Sequence, residues 1–130
     1  MIRLATLTLL GALACASSSD YDHLIAELRS RGIAVSEVDV IEQPFFTGRA
    51  RVLRANEEDI QVYEFDSAAA AEAAAAKVSP NGGSISTNSM HWMAAPHFHR
   101  SGRLIAIHLG ANANVRDALN AILGKQFAGQ

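Results

Sequence analysis

The stretch RARVLRANEEDIQVYEFDSAAAAEAAAAK, residues 49–77, decides the fold of this chain. Its first part has two runs of alternating apolar and polar residues on either side of a polar turn, Asn56-Glu57-Glu58-Asp59. Asp66 or Ser67 then caps an alanine-rich helix, because short oxygen side chains accept hydrogen bonds from the free N–H groups of a first helical turn. The stretch therefore predicts a β-hairpin followed by a helix.

A second copy of this unit lies further along the chain. The sequence HFHRSGRLIAIHLG, residues 97–110, again predicts a hairpin, with its turn at Ser101-Gly102. Asn112 or Asn114 then begins a helix that ends at Gly124. The domain is therefore predicted to contain a duplicated β-hairpin plus helix unit.

The remaining segments add one helix and several short strands. Asp20 is expected to cap a helix from Tyr21 to Arg31, and an extended segment follows from Ile33 to Ile41. Ser84 to Thr87 and Met90 to Ala94 each predict a short strand. The sum is a two-layer α+β fold, an antiparallel sheet of five to seven strands with three helices on one face.

Composition limits the classes of partner. The chain has 130 residues and a formal net charge of −2, so it carries no basic stripe for nucleic acid. Its length fits a single domain, which we assign to residues 21–130. With a single cysteine it can form no disulfide within the chain.

The N-terminal segment MIRLATLTLLGALAC has one positive charge, an apolar run from Leu4 to Leu13, and the ending Ala12-Leu13-Ala14-Cys15. An apolar run this short predicts a signal peptide and not a membrane-spanning helix, because a bilayer core of about 30 Å needs about 20 residues. The ending resembles the bacterial lipobox. That resemblance implies lipid attachment at Cys15 and removal of residues 1–14.

The lipobox resemblance also implies a location. An exported lipoprotein is held to the cell envelope by its acyl chains, and residues 15–20 would form the lipidated cysteine and a small polar tether. Ala16, and not Asp, follows the cysteine. In a Gram-negative host this favours the outer membrane, with the domain facing the periplasm.

Three stretches of the domain carry a second resemblance. QVYEFDSAAAAEAAAAKVSP (61–80), HWMAAPHFHRSGRLIAIHLG (91–110) and ILGKQFAG (122–129) resemble a group of small uncharacterised bacterial lipoproteins. The likeness spans about Gln43 to Gly129. It implies no activity and no site residues.

Histidine is concentrated in the second hairpin and just before it: four of the five histidines lie between His91 and His108. A turn at Ser101-Gly102 sets His97 opposite Ala106, and strand alternation puts His97, His99 and His108 on one face. Two or three imidazoles can bind Zn²⁺ or Cu²⁺. The simpler interpretation is that these histidines are polar residues on the solvent face of the sheet.

Other catalytic patterns are missing from the sequence. No serine lies in a Gly-x-Ser-x-Gly motif, Glu57, Glu58 and Asp59 are most simply a solvated turn, and Gly82-Gly83 is too short for a phosphate loop. Trp92 with Met90 and Met93 beside His91 predicts core, with the floor of a ligand pocket as the alternative.

The sequence thus favours a non-enzymatic, membrane-tethered binding or interaction module, with an envelope protein as a candidate partner. A metal-binding lipoprotein that uses His97, His99 and His108 is the alternative, although no cofactor is required by the pattern. An envelope hydrolase is a remote third class.

Overall fold

The computed structural model describes residues 19–47 and 49–130. The signal segment 1–14, Cys15 with residues 16–18 of the proposed tether, and Gly48 lie outside the described residues. The helices are α1 (Asp20–Ser30), α2 (Ala68–Ala75) and α3 (Ala113–Leu123). The strands are β1 (Val35–Glu42), β2 (Arg49–Ala55), β3 (Glu58–Glu64), β4 (Ser84–Ile85), β5 (Asn88–Ser89), β6 (Pro96–Ser101), β7 (Leu104–Leu109) and β8 (Ala128–Gly129).

Six of these strands form one open antiparallel sheet, in the order β1-β2-β3-β7-β6-β8. The two hairpins, β2-β3 and β6-β7, meet in the middle, where β3 pairs with β7. Strands β4 and β5 form a separate two-stranded sheet. The α+β class, the antiparallel sheet and the duplicated hairpin plus helix unit are confirmed.

The turn of the first hairpin is shorter than the sequence indicates. Ala55 pairs with Glu58, so only Asn56 and Glu57 lie between the strands. Both have positive φ angles, +47° and +70°. Positive φ at both central positions is typical of a type I′ turn, whose twist matches that of the two strands. The tight turn places Glu58 at the first position of β3.

The helix caps follow the expected chemistry, with one difference in α1. Ser67 caps α2 and Asn112 caps α3, as predicted. Ser19 caps α1, because its hydroxyl oxygen accepts the Asp22 N–H at 3.1 Å, and the predicted cap residue is itself helical. Gly32, at φ +80°, follows the end of this helix in the left-handed conformation that glycine adopts readily.

The three helices do not share one face of the sheet, as the sequence analysis expected. Leu104 and Ala106 pack with residues of α1 and α3, whereas Ile105 and Ile107 pack with Ala71 of α2. Successive residues of a strand point to opposite faces, so α2 lies on the face opposite α1 and α3. The pattern of apolar residues shows that a helix is amphipathic but not which side of the sheet it covers.

The connection between α2 and β6 differs from its prediction. Strand β4 ends at Ile85, strand β5 covers only Asn88–Ser89, and residues 90–95 are not a strand. Strand β8, which the sequence analysis did not predict, pairs with β6 at His97 and Phe98. In the described part of the chain, no helix is long and apolar enough to cross a membrane.

Candidate functional site

The second hairpin places its three histidines on one face, but in a different register from the prediction. His97 lies directly opposite His108, and His99 lies opposite Ala106. The shift follows from the turn, which consists of Gly102 and Arg103. The rings of His97 and His108 are therefore close neighbours, with centroids 5.5 Å apart.

The expectation that these histidines line a solvent face is wrong. Their exposed fractions are 4% for His97 and zero for His99 and His108. They share the face of Ala106, which packs with α1 and α3. We call this buried group, His97, His99 and His108, the histidine layer.

Both ring nitrogens of His97 have partners. Nε2 donates to the carbonyl oxygen of Gly110 at 2.8 Å, just after β7. Nδ1 lies 3.0 Å from Oε1 of Gln126, between α3 and β8. His97 thus links the segments before and after α3 to the sheet.

His108 contacts a carboxylate that the sequence analysis assigned to a solvated turn. Nε2 of His108 donates to Oε1 of Glu58 at 2.8 Å. The same carboxylate accepts the backbone N–H groups of Ala111 at 3.1 Å and Asn112 at 2.9 Å. Negative charge is stabilised at a helix N-terminus, where N–H groups lack partners inside the helix. Glu58 therefore anchors the start of α3 to β3 and β7.

Gly110 makes this arrangement possible. Its φ is +147°, and a Cβ atom at this position would collide with the carboxyl group of Glu58. A side chain here would displace the carboxylate from the α3 terminus. The glycine is therefore required by close approach as well as by backbone conformation.

His99 lies at the other end of α3. Its Nδ1 donates to the carbonyl oxygen of Gly124, the residue that caps the helix, at 3.0 Å. Carbonyl groups in the last turn of a helix lack partners within the helix. The histidine layer thus contacts the segments at both ends of α3.

Burial sets the charge state of two of these imidazoles. Desolvation lowers the pKa of His99 and of His108 below the usual range, and the hydrogen bonds to Gly124 and Glu58 oppose this effect only in part. Both rings are therefore neutral near neutral pH. The contact between His108 and Glu58 is a neutral imidazole donating to a carboxylate and not an ion pair.

The pKa of the Glu58 carboxyl is shifted in the opposite direction from that of an acid that is merely buried. Burial raises its pKa, but the hydrogen bonds from His108, Asn112 and Ala111 outweigh burial and hold the pKa below its usual range. Glu58 consequently stays ionised at neutral pH. Its charge is satisfied by three donors.

Two buried nitrogens in the layer have no hydrogen-bond partner: Nε2 of His99 and Nδ1 of His108. Because the other nitrogen of each ring donates, both are lone-pair acceptors. Such atoms can accept from a buried water or bind a metal ion. Within residues 19–47 and 49–130, however, no group of three or more His, Cys, Asp or Glu side chains is placed to hold a metal ion. Zinc or copper at His97, His99 and His108 stays a prediction.

A second region of interest lies on the other side of the molecule, at the segment before β6. A groove of about 460 Å³ is walled by Asn81, Gly83, residues 90–92, residues 94–96 and Gln130. Trp92 is held in its wall by an N–H bond to the Gly82 carbonyl oxygen at 2.7 Å, and its indole contacts Phe98 edge-on. The predicted alternatives for this segment were core and the floor of a pocket. Met90 and Trp92 are partly buried, whereas His91 and Met93 are exposed, so core is wrong for those two residues.

A smaller cavity of about 190 Å³ bears on the hydrolase alternative, because Asp20, His23 and Ser101 all line it. A nucleophilic serine needs a hydrogen bond to a base, and the base needs an orienting carboxylate. In the part of the chain that the structure describes, no hydrogen bond joins Ser101 to His23.

Comparison with family models, with curated proteins and with solved structures finds no match to this chain.

Sequence reasoning identified the three histidines but missed their partners. Glu58, Gly110 and Gln126 come from separate segments, so their convergence depends on the pairing of β3 with β7 and on the path of the chain after α3. The one local signal was the position of this glycine, between the last residue of β7, Leu109, and the helix cap, Asn112. It could have indicated a close approach at Gly110.

Proposed function

We propose that this chain is an exported bacterial lipoprotein that is anchored through Cys15 and presents a non-enzymatic binding domain outside the cytoplasm. The anchor is supported by the uncharged apolar segment and by Ala12-Leu13-Ala14-Cys15. The first described helix begins at Asp20, shortly after that cysteine. Since Ser19 caps the helix, the tether would consist of Ala16, Ser17 and Ser18.

The anchor is tested by replacing Cys15 with serine in the full-length chain. Stable attachment needs more than one acyl chain, and an unmodified terminus offers none. The wild type should fractionate with the envelope and incorporate labelled fatty acid, and Cys15→Ser should do neither. Equal membrane association of the two proteins would contradict the proposal.

The groove beside Trp92 carries the binding part of the proposal. Neither face of the sheet offers a single broad surface for binding, because α1 and α3 pack on one face and α2 packs on the other. The groove, in contrast, combines partly exposed apolar walls with polar residues such as Asn81 and Gln130. Its volume of about 460 Å³ lies within the range of small-molecule sites.

This assignment can be tested by filling the groove. Ala94 is exposed and lines it, so Ala94→Trp should occlude it without disturbing the core. Ala121→Trp, at an exposed position of α3, is the matched control. Full-length proteins are purified from the envelope in detergent, and their bound proteins, small molecules and elements are measured. A species that wild type and Ala121→Trp retain and Ala94→Trp loses supports the groove; identical sets from all three proteins contradict it.

The second candidate function is divalent metal binding by the histidine layer. The observation that favours it is the pair of buried, unpartnered nitrogens on His99 and His108. Both nitrogens of His97 already have partners, which argues against its use as a ligand. Zinc titration distinguishes this candidate from the first.

A further inference from the structure

The tetrapeptide Met90-His91-Trp92-Met93 concentrates soft metal ligands in one exposed segment. The chain has three methionines, and the two that follow the signal segment both lie here. Thioether sulfur and imidazole nitrogen together favour Cu⁺ among the biological metal ions. Zinc sites use thiolate, imidazole and carboxylate instead.

The fold holds the backbone of this segment in place, with Met90 partly packed and with His91 and Met93 exposed. The backbone N–H of Met90 donates to the Gly83 carbonyl oxygen at 2.9 Å, and the Trp92 indole is bonded to Gly82. His91 is exposed and lines the groove together with Met90. The anchored positions thus alternate with exposed ones.

Met93 is the most exposed large apolar side chain of the described residues, with 97% of its surface accessible. Methionine is ordinarily among the buried residue types. Its long unbranched side chain has three rotatable bonds, so an unconfined Met93 can turn toward a ligand. Three extended residues span at most about 11 Å, so the thioethers of Met90 and Met93 can reach a common ion.

We propose that Met90, His91 and Met93 form a surface site for a soft monovalent cation, Cu⁺ or its redox-stable analogue Ag⁺, beside the Trp92 indole. Two thioether sulfurs and one imidazole nitrogen supply three donors, none of them a thiolate or a carboxylate. An indole next to the ion adds a cation–π attraction. The proposal names a ligand class for the groove and in that respect rests on the proposed binding function.

The single tryptophan of the chain makes the site directly measurable. Ag⁺ bound beside Trp92 should quench its fluorescence, so titration with Ag⁺ reports binding at this segment. All proteins carry Cys15→Ser, which removes the one thiol and hence the strongest competing ligand. Mass spectrometry under native conditions counts the ions bound.

The expected result is one Ag⁺ per chain with saturable quenching. Met90→Leu, Met93→Leu and His91→Ala should each weaken binding by tenfold or more, because each removes one of three donors. His23→Ala, which removes another exposed histidine, should bind as the parent does. An excess of Zn²⁺ should not displace Ag⁺, since zinc has little affinity for thioethers.

The methionine substitutions should leave the fold intact, so a loss of Ag⁺ binding would not reflect unfolding. Met93 is almost wholly exposed, and leucine preserves the partial packing of Met90 against the aromatic residues. Unchanged melting temperatures would verify this. Quenching that is unsaturable, that survives Met90→Leu combined with Met93→Leu, or that Zn²⁺ reverses would overturn the proposal.

The titration and the groove-filling experiment fail independently. If Ag⁺ does not bind but Ala94→Trp still loses a ligand from the envelope, the groove binds something other than a soft cation. If Ag⁺ binds as proposed but Ala94→Trp loses nothing, the site exists and the groove has no other role.

Discussion

Beneath α1 and α3 the sheet buries three imidazoles among aliphatic side chains, whereas beneath α2 it buries aromatic rings. The aromatic cluster includes Phe46, Tyr63, Phe65 and Phe98, whose neighbouring rings meet mostly edge to face. Its stability comes from removal of apolar area from water. The histidine layer is stabilised only while its hydrogen bonds remain intact. The two sides of one sheet should therefore respond differently to truncation, to acid and to metal.

The largest effect should follow truncation of the aromatic side. Phe98 has no exposed surface and contacts both Trp92 and Phe127. Phe98→Ala should lower the free energy of unfolding by about 3 to 5 kcal/mol, through lost burial and a residual cavity. Phe127→Ala, at a residue 38% exposed, should cost less than half as much. Denaturant unfolding measures both, and equal losses would show that the aromatic cluster is not a packed core.

A smaller loss should follow removal of the carboxylate that organises the histidine layer. Glu58→Ala leaves the donors of His108, Ala111 and Asn112 without their acceptor. We expect a loss of about 2 to 3 kcal/mol. Glu58→Gln, which keeps one acceptor oxygen, should lose less, so a glutamine variant as unstable as the alanine variant would contradict this role.

The two sides of the sheet should also differ in how acid affects their contribution to stability. The folded pKa values of His99 and His108 lie below their unfolded value of about 6.5, so the unfolded chain binds more protons in mildly acidic solution. Their contribution to stability is complete above pH 6.5 and is lost as the pH falls below it, by at most about 1.4 kcal/mol per pH unit for each ring. His99→Leu should reduce this slope.

The matched control for the acid experiment is His23→Ala, because His23 is exposed on α1. It should keep the slope of the wild type. Unfolding free energies measured from pH 7.5 to pH 5.5 would refute the prediction if His99→Leu and wild type gave the same slope. Glu58 adds to acid sensitivity only at lower pH, as its own depressed pKa is approached.

The smallest effect should be that of divalent metal on the histidine layer. A ligand at a hundred times its dissociation constant would stabilise the fold by about 2.7 kcal/mol. Because both nitrogens of His97 have partners, we expect micromolar Zn²⁺ at pH 7.5 to leave the melting temperature unchanged. A rise that disappears when His99 and His108 are both replaced by alanine would establish the metal site instead.

Local sequence determined the elements because their signals are short-range. Alternation and turn residues located both hairpins, and Ser67 and Asn112 marked the starts of two helices where the structure has them. The same alternation placed the three histidines on one face. Capping and pleating depend on residues within a few positions of one another, so one sequence suffices to recognise them.

Only the tertiary structure decided which residues are buried between these elements. Nothing near His97 in the sequence shows that its face is covered by α3, or that Glu58 reaches the same layer from a strand 50 residues away from His108. The side on which a helix packs, the register of a hairpin and the burial of a polar group follow from the sum of many distant contacts. Sequence thus determined the segments and their faces, and packing decided that the histidines became a buried anchor for α3 while Met93 remained in solvent.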